Sequence, residues 1–325
     1  RKPILLIGCG VTFVGSLFCI FAPTIETLIA GRIVQAFGGA VGLVVARAVV
    51  RDVYGPSESA RIISTLVMVM VVIPMLSPAL GGELMVRFGW HSVFVVIGLF
   101  SLVMFTLLVW RMPETLKEPV PFEGVVDTLR LFGKLLQSRV FAGYAFNVAF
   151  VSVVFFSFIS AAPEIMVSVF GRPATEYGYY FVMIPAGFMA GNYISRRYGT
   201  RLGINRMIGI GSQISLVSIA LALLLQVFGL QHPLALFVPV AIAIFGNGVT
   251  LPNAQAGAIN EFPRYAGSAS GLTGFLQMSL SAAAAQMVAV IFNGTAFPLL
   301  MLMLIASTIS LLAFRQGVRG QATPI

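Results

Sequence analysis

Apolar stretches of about twenty residues recur along this chain, and they constrain its fold more than any other feature. They include Ile62 to Gly82, Tyr265 to Val290 and Ala296 to Phe314, which run almost without a charge. A helix needs roughly 20 apolar residues to cross about 30 Å of hydrocarbon, where no water can satisfy the backbone. The sequence therefore predicts an all-α, polytopic membrane protein with about ten transmembrane helices.

Composition supports this prediction. Of the 325 residues, 58% are hydrophobic and only 10% are charged, and the mean hydropathy of +0.97 excludes a water-soluble domain. The predicted spans are 4–22, 28–46, 62–82, 92–110, 141–163, 177–195, 207–228, 234–255, 265–290 and 296–314.

The net charge of +9 would suggest a nucleic-acid partner in a soluble chain. Here it reflects the side of the membrane on which the positive charges are expected to lie. Of the 20 Lys and Arg residues, 17 fall in one alternating set of segments. The opposite set holds only Arg87 and Arg172, and Arg32 lies within a span. By the positive-inside rule both termini are cytoplasmic. We expect the loops near Asp52, Asp127 and Tyr198 inside and those near Trp90, Arg172 and His232 outside, with no nucleic-acid partner.

A polar segment divides the chain into two predicted domains. Residues 1–111 would form an incomplete N-terminal bundle of four spans, and residues 139–325 a C-terminal bundle of six. Residues 112–138 would be a cytoplasmic linker, whose apolar residues at helical spacing predict an amphipathic helix on the membrane surface. Since residues 1–3 lead straight into a span and the first bundle has four spans against six in the second, we expect that two helices of an original twelve are missing.

Several motifs along the chain can be recognised. They are Gly31 to Ala40 (GRIVQAFGGA), Ala46 to Tyr54 (ARAVVRDVY), Ser77 to Gly82 (SPALGG), Trp90-His91, Pro113 to Leu116 (PETL) and Asn260 to Ser270 (NEFPRYAGSAS). Together they resemble the Bcr/CflA branch of the major facilitator superfamily drug:proton antiporters. One departure is that Ser77 and Ile73 stand where the antiporter motif of the family has glycines.

This resemblance implies a function and a location. It implies a major facilitator-like bundle that exports small amphipathic, drug-like compounds in exchange for protons. The protein would lie in the lipid bilayer of the bacterial inner membrane as a multi-pass monomer without a cofactor. A transporter of a polar metabolite, or a non-transporting membrane protein that keeps the bundle, is the alternative.

Arg32 is the strongest candidate for coupling. A cation in hydrocarbon costs at least ~2.5 kcal/mol, and such residues usually line a cavity or proton path. Gln35 lies one turn away on the same face. The alternative is a structural anchor whose side chain reaches the outer interface. Arginine does not titrate, no span holds a central Asp or Glu, and the resemblance places the titrating acid on the expected missing first helix.

Amide, aromatic and methionine side chains near the middle of the predicted spans are candidates for lining a cavity. They are Asn147, Phe150, Met183, Asn247, Phe275 and Gln277. Amides provide hydrogen bonds, and Phe and Met provide an adaptable apolar wall. The alternatives are ordinary hydrogen bonds between helices for the amides and packing or lipid contact for the others.

Small residues and proline are candidates for helix packing or gating. They are Gly38 and Gly42, Gly267 and Gly271, and Pro78, Gly81 and Gly82. Glycines four residues apart allow two helices to approach closely, and proline can bend a helix.

Catalysis is not expected. The only histidines, His91 and His232, fall outside the spans, and Gly267 to Gly271 does not place Ser at the centre of a nucleophile elbow. Cys9 and Cys19 lie about 15 Å apart along one helix, too far for a disulfide, and have no metal-binding neighbours. The sequence predicts neither an enzyme nor a metal site.

Overall fold

The regular secondary structure of the described residues is entirely helical. The computed structural model describes residues 1–115 and 124–319. Its α-helices are α1 (Lys2–Ile20), α2 (Ile25–Phe88), α3 (His91–Arg111), α4 (Val125–Gln137), α5 (Arg139–Ser168), α6 (Ala174–Phe181), α7 (Met183–Leu202), α8 (Ile204–Val227), α9 (Pro233–Glu261), α10 (Ala266–Ile291) and α11 (Phe297–Arg319). A short 3-10 helix, Pro263–Tyr265, precedes α10. These two ranges contain no strand, so the predicted all-α fold is confirmed.

Contacts divide the chain into two units. Unit 1 is Arg1–Phe122 and unit 2 is Glu123–Ile325. In unit 1, α1 packs against α2 and α3. In unit 2, α9 packs against α5, α7 and α8, while α11 packs against α5 and α8. The core of unit 2 is built from fully buried side chains such as Phe158, Phe237 and Leu300.

The predicted linker at 112–138 lies only partly within the described residues, because 116–123 fall outside them. Its second part contains α4, on which Val126 and Leu129 are exposed while Leu135 is buried in a second core cluster of unit 2. The domain boundaries and the placement of α4 on a membrane surface stay predictions.

Seven helices in the described ranges are long and apolar enough to cross a membrane. They are α1, α3, α5, α8, α9, α10 and α11. Each overlaps one predicted span, so the chain is a multi-pass membrane protein.

The structure differs from the predicted spans at two places. Spans 28–46 and 62–82 are parts of one helix, α2, so the residues near Asp52 form no loop. The connecting residues 47–61 include Gly55 and Pro56, which disfavour a helix, so local propensity does not explain this continuity. Span 177–195 is instead divided at Val182 between α6 and α7. Pro185 favours this break, because proline has no N–H to donate to the carbonyl four residues earlier, that of Phe181, and clashes with it.

Local capping fixes several helix ends. Thr24 begins α2 with a capping box, in which its hydroxyl accepts from Thr27 N and the Thr27 hydroxyl accepts from Thr24 N at 3.2 Å. Ser138 caps α5 by accepting from Phe141 N at 3.3 Å. Gly89 and Gly203 end α2 and α7 with φ of 78°, which a residue with a side chain rarely adopts. These ends set the register in which the helices of each unit pack.

Candidate functional site

A chain of hydrogen bonds joins Arg32 on α2 to helix α1. Arg32 Nη1 donates to Gln35 Oε1. Gln35 Nε2 donates to Ser16 Oγ at 2.8 Å, and Ser16 Oγ donates to the Thr12 carbonyl at 2.8 Å. Gln35 is buried, with 5% of its surface exposed, whereas Arg32 is exposed. Because Gln35 has a partner at both ends of its amide, its orientation is fixed and it fixes Arg32 in turn.

An aromatic ring from a third helix also contacts Arg32. The Cζ of Arg32 lies 5.7 Å from the ring centroid of Phe94 on α3, within the range of a cation–π interaction. Among the described residues, no carboxylate forms an ion pair with Arg32. The guanidinium is therefore positioned by neutral groups from three helices, and its charge is not neutralised by them.

Glycines bring α1 and α2 together beside this chain. A Cβ added to Gly15 would lie 2.5 Å from Gln35 N, and one added to Gly8 would lie 2.9 Å from Val41 Cβ. On α2, a Cβ at Gly38 would overlap Thr12 and the Gly8 carbonyl. We call Gly8, Gly15, Gly31 and Gly38 the glycine seam. This close approach lets Ser16 reach Gln35.

The other residues predicted for helix packing or gating lie outside the glycine seam. Among the residues whose side chains the structure describes, a Cβ added at Gly42, Gly81, Gly82, Gly267 or Gly271 would meet no neighbouring atom within 4 Å. Pro78 lies within α2, but its side-chain surroundings fall outside the described residues. A gating role for these residues stays a prediction.

Asn147 is the centre of a polar contact between three helices of unit 2. The residue is fully buried on α5. Its Nδ2 lies 3.3 Å from Ser212 Oγ on α8 and, on α11, 3.0 Å from the Ser310 carbonyl and 2.9 Å from Ser310 Oγ. Its Oδ1 is enclosed and has no hydrogen-bond partner among the described residues. Asn147 thus joins helices and also leaves one acceptor open.

Asn247 makes a similar contact one turn further along α5. It lies on α9 with 2% of its surface exposed, and its Nδ2 donates to the Val151 carbonyl at 3.2 Å. Its Oδ1 also lacks a hydrogen-bond partner in the part of the chain that the structure describes. Asn147 and the Val151 carbonyl that Asn247 contacts therefore lie on adjacent turns of α5.

The remaining cavity candidates do not form one cluster. Phe150 and Met183 are partly buried and pack against the core of unit 2. Gln277 on α10 accepts from Gln255 Nε2 at 3.4 Å. Phe275 is 64% exposed. Their role as a cavity wall stays a prediction.

Sequence reasoning missed residues that shape the Arg32 site. Ser16 was not predicted, because nothing in the sequence shows which hydroxyl of α1 faces Gln35. The glycine seam did leave a signal. Gly8 and Gly15 are seven residues apart, as are Gly31 and Gly38, and seven residues are close to two full turns of a helix.

Unit 1 also has an apolar groove between its helices. It has a volume of about 450 Å³ and is lined by residues that include Leu6, Val11, Val34 and Phe105. None of the predicted site residues lines it.

Comparison with known proteins identifies the family. The family model described as Major Facilitator Superfamily matches residues 1–286. The chain belongs to the Major Facilitator Superfamily. This match confirms the resemblance seen in the motifs around Arg32.

Several curated relatives cover nearly the whole chain. The bicyclomycin resistance protein homolog of Haemophilus influenzae is 29% identical over 97% of this chain and 79% of its own length. The uncharacterized MFS-type transporter YdgK of Bacillus subtilis is 31% identical over 97% of this chain and 78% of its length. Multidrug resistance protein D of Escherichia coli is 28% identical over 85% of this chain and 69% of its length.

A solved structure shares the fold. It is the inward-facing, unoccupied form of a bacterial homolog to the human lysosomal transporter Spinster. It matches 100% of this chain and 85% of its own, with a TM-score of 0.70 and 16% identity. At this identity the match concerns the fold alone, which is that of a transporter family.

Proposed function

We propose that this chain belongs to a proton-coupled antiporter that exports small amphipathic drugs across the bacterial inner membrane. In this proposal the protein acts as a monomer with cytoplasmic termini. The observation that carries it is the Arg32 site, where Gln35, Ser16 and Phe94 hold a cation on a helix of a membrane protein. The names of two relatives, a bicyclomycin resistance protein homolog and a multidrug resistance protein, support drugs as the substrate class.

Arg32 would act on a proton without carrying it. An arginine stays protonated throughout the physiological range, but it lowers the pKa of a carboxylate that approaches within about 4–6 Å. We infer that a carboxylate meets Arg32 during the transport cycle and releases its proton there. Gln35 and Ser16 would keep the guanidinium at the position where this encounter occurs.

Asn147 and Asn247 would contribute on the side of the substrate. Each is buried in unit 2 and keeps an Oδ1 without a partner, and an enclosed acceptor of this kind is costly unless something donates to it. In this proposal a polar group of the substrate, or a water that it displaces, donates to these oxygens. Phe150, Met183, Phe275 and Gln277 would supply further contacts.

Export driven by a pH gradient tests the proposal. Everted membrane vesicles would be supplied with bicyclomycin or the fluorescent cation ethidium, and uptake would be followed with and without an imposed gradient. We expect gradient-dependent uptake that Arg32→Ala strongly reduces and that Arg32→Lys retains in part, since lysine keeps the charge but loses the planar fork.

Arg87→Ala is the matched control. Arg87 lies on the same helix and pairs with Glu83 at 2.8 Å in an exposed ion pair, which contributes little to stability. Drug uptake by the Arg87→Ala variant should equal that of the parent protein. Uptake that ignores the gradient would overturn proton coupling, and uptake of polar metabolites without any uptake of drugs would overturn the substrate class.

A further inference from the structure

Positive charge is concentrated where α7 ends and α8 begins. Four exposed arginines lie there on either side of Gly203, and we call them the basic cluster: Arg196, Arg197, Arg201 and Arg206. The sequence holds no Asp or Glu between Glu176 and Glu261. The ion pairs formed by the described residues include none of the four arginines. The basic cluster therefore presents its full charge at the surface of unit 2.

The contacts of Arg197 position its side chain without neutralising it. Its Nη1 lies 3.5 Å from the hydroxyl of Tyr193, and its Cζ lies 6.0 Å from the ring centroid of Tyr198. Both tyrosines are exposed, Tyr193 by 60% and Tyr198 by 38%. A hydroxyl and an aromatic ring are neutral, so the charge of the guanidinium and its other N–H groups are left for an anion.

One face of α7 packs against α9. A Cβ added to Gly187 would lie 2.5 Å from the Ala241 carbonyl oxygen, and two turns further along α7 Ser195 Oγ accepts from Asn253 Nδ2 at 2.6 Å. A helix turns by about 100° per residue, so a side chain two positions after a packed residue points away from the partner helix. The face of α7 that holds Arg197 is therefore the one opposite α9.

This opposite face changes in character along its length. Met189 is 42% exposed and Tyr193 is 60% exposed, and Arg197 and Arg201 follow at intervals of one turn, also exposed. From Met189 to Arg201 the helix rises about 18 Å, close to the thickness of one leaflet with its head groups. The order is apolar, then tyrosine, then cation. A membrane changes in the same order, from acyl chains through the interface where tyrosine is enriched to the phosphates.

We propose that this face of α7 binds an anionic phospholipid, with the phosphate on the basic cluster and an acyl chain along Met189. The guanidinium fork suits a phosphate, because it donates two parallel hydrogen bonds. A water-soluble phosphate would use the arginines but not the exposed Met189 and Tyr193, whereas a lipid uses the whole face. The positive-inside rule explains charge on this side of the membrane, but it does not require these residues to share one face.

The number of arginines indicates which lipid binds most tightly. Cardiolipin carries two phosphates in one molecule, so once the first is bound the second meets the remaining arginines at a high effective concentration. We therefore expect cardiolipin to bind more tightly than phosphatidylglycerol, and phosphatidylethanolamine, which has no net charge, to bind most weakly. Native mass spectrometry of the purified chain in detergent, titrated with each lipid, measures this order. Binding of cardiolipin should weaken as the salt concentration is raised, because exposed charges are screened.

A double variant tests the basic cluster. Arg197→Gln with Arg201→Gln should weaken cardiolipin binding about thirtyfold, since each basic residue near an anionic lipid contributes about fivefold. The matched control is Arg87→Gln with Arg172→Gln, which removes the same amount of charge from two exposed ion pairs elsewhere and should leave the binding unchanged. All four positions are exposed, so both double variants should unfold at the temperature of the parent.

Three results would overturn the proposal. One is an absence of cardiolipin binding, or binding no tighter than that of phosphatidylethanolamine. Another is equal weakening in both double variants, which would assign the binding to net charge alone. The third is displacement of cardiolipin by glycerol phosphate at the same phosphate concentration, which would make the basic cluster a site for soluble phosphates.

Discussion

Gln35 on α2 donates to the hydroxyl of Ser16 on α1, 2.8 Å away, while its carbonyl accepts from Arg32. Through Gln35, Ser16 of α1 thereby positions the guanidinium of Arg32 on α2. The contact depends on the glycine seam, because Gly15 lies directly against the backbone of Gln35. The close approach of α1 and α2 therefore allows the hydrogen bond between Ser16 and Gln35, and this bond positions the charge of Arg32.

Ser16→Ala should impair transport without removing any charge. The Gln35 amide loses its acceptor and Arg32 becomes less well positioned, so we expect gradient-driven export to fall about fivefold, the equivalent of one hydrogen bond. Ser16→Thr retains a hydroxyl and should restore most of the activity. The control is Ser101→Ala, which removes a comparable bond to α1, from Ser101 Oγ to the Cys9 carbonyl at 2.8 Å, away from Gln35. Equal loss in both alanine variants would assign Ser16 a structural role only.

Arg32→Ala should also change the pH dependence of any residual export. An arginine lowers the pKa of a nearby carboxylate, so its removal should raise that pKa and move the pH midpoint upward by about one pH unit or more. Arg32→Lys should leave the midpoint nearly unchanged. Rates measured from pH 5 to pH 9 in vesicles check this, and an unchanged midpoint in the alanine variant would remove Arg32 from the coupling mechanism.

Gly38→Ala should destabilise unit 1, whereas Gly42→Ala on the same helix should not. The added methyl group at position 38 would overlap Thr12 and the Gly8 carbonyl, while at position 42 it would meet no atom of the described side chains and backbone within 4 Å. Forcing a backbone apart in this way costs about 1–3 kcal/mol. Thermal unfolding in detergent, with both variants compared to the parent, measures the difference. Similar unfolding temperatures for both variants would contradict the packing of α1 on α2.

The sequence predicted helices and membrane spans well because hydropathy depends on local composition alone. It also placed Arg32 and Gln35 on one face, since residues three apart on a helix are neighbours. Contacts between helices were harder to predict. The pair Gly38 and Gly42 suggested a seam, but only Gly38 contacts α1, because the crossing point depends on where the partner glycines lie.

The break between α6 and α7 could have been predicted from the sequence, but the length of α2 could not. Pro185 has a local steric effect on the carbonyl of residue 181, which the sequence alone reveals. The continuity of α2 runs through Gly55 and Pro56, which disfavour a helix, so neither local propensity nor hydropathy predicts it. In unit 2, Asn147 was predicted as a polar residue at mid-depth, but its partners on α8 and α11 are more than sixty residues away in the chain.

Asn147→Ala should destabilise unit 2 by about 1 kcal/mol, the order measured for hydrogen bonds between membrane helices. The variant loses contacts to Ser212 and Ser310 on two different helices. Gln213→Ala is the control, because Gln213 is exposed on α8 beside Ser212 and should leave the unfolding temperature unchanged. A larger loss of drug export than of stability in Asn147→Ala would indicate contact with the substrate, whereas equal losses would indicate packing alone.

The uneven distribution of Lys and Arg predicts the orientation of the chain in the membrane. A cysteine at position 198, at the basic end of α7, should be protected from a non-permeant thiol reagent in intact cells, and a cysteine at position 232 should be labelled. Both sites suit the test, because Tyr198 is 38% exposed and His232 is exposed. Cys9 and Cys19 would first be replaced by alanine, and permeabilised cells should label both positions. Strong labelling at position 198 in intact cells would reverse the predicted orientation.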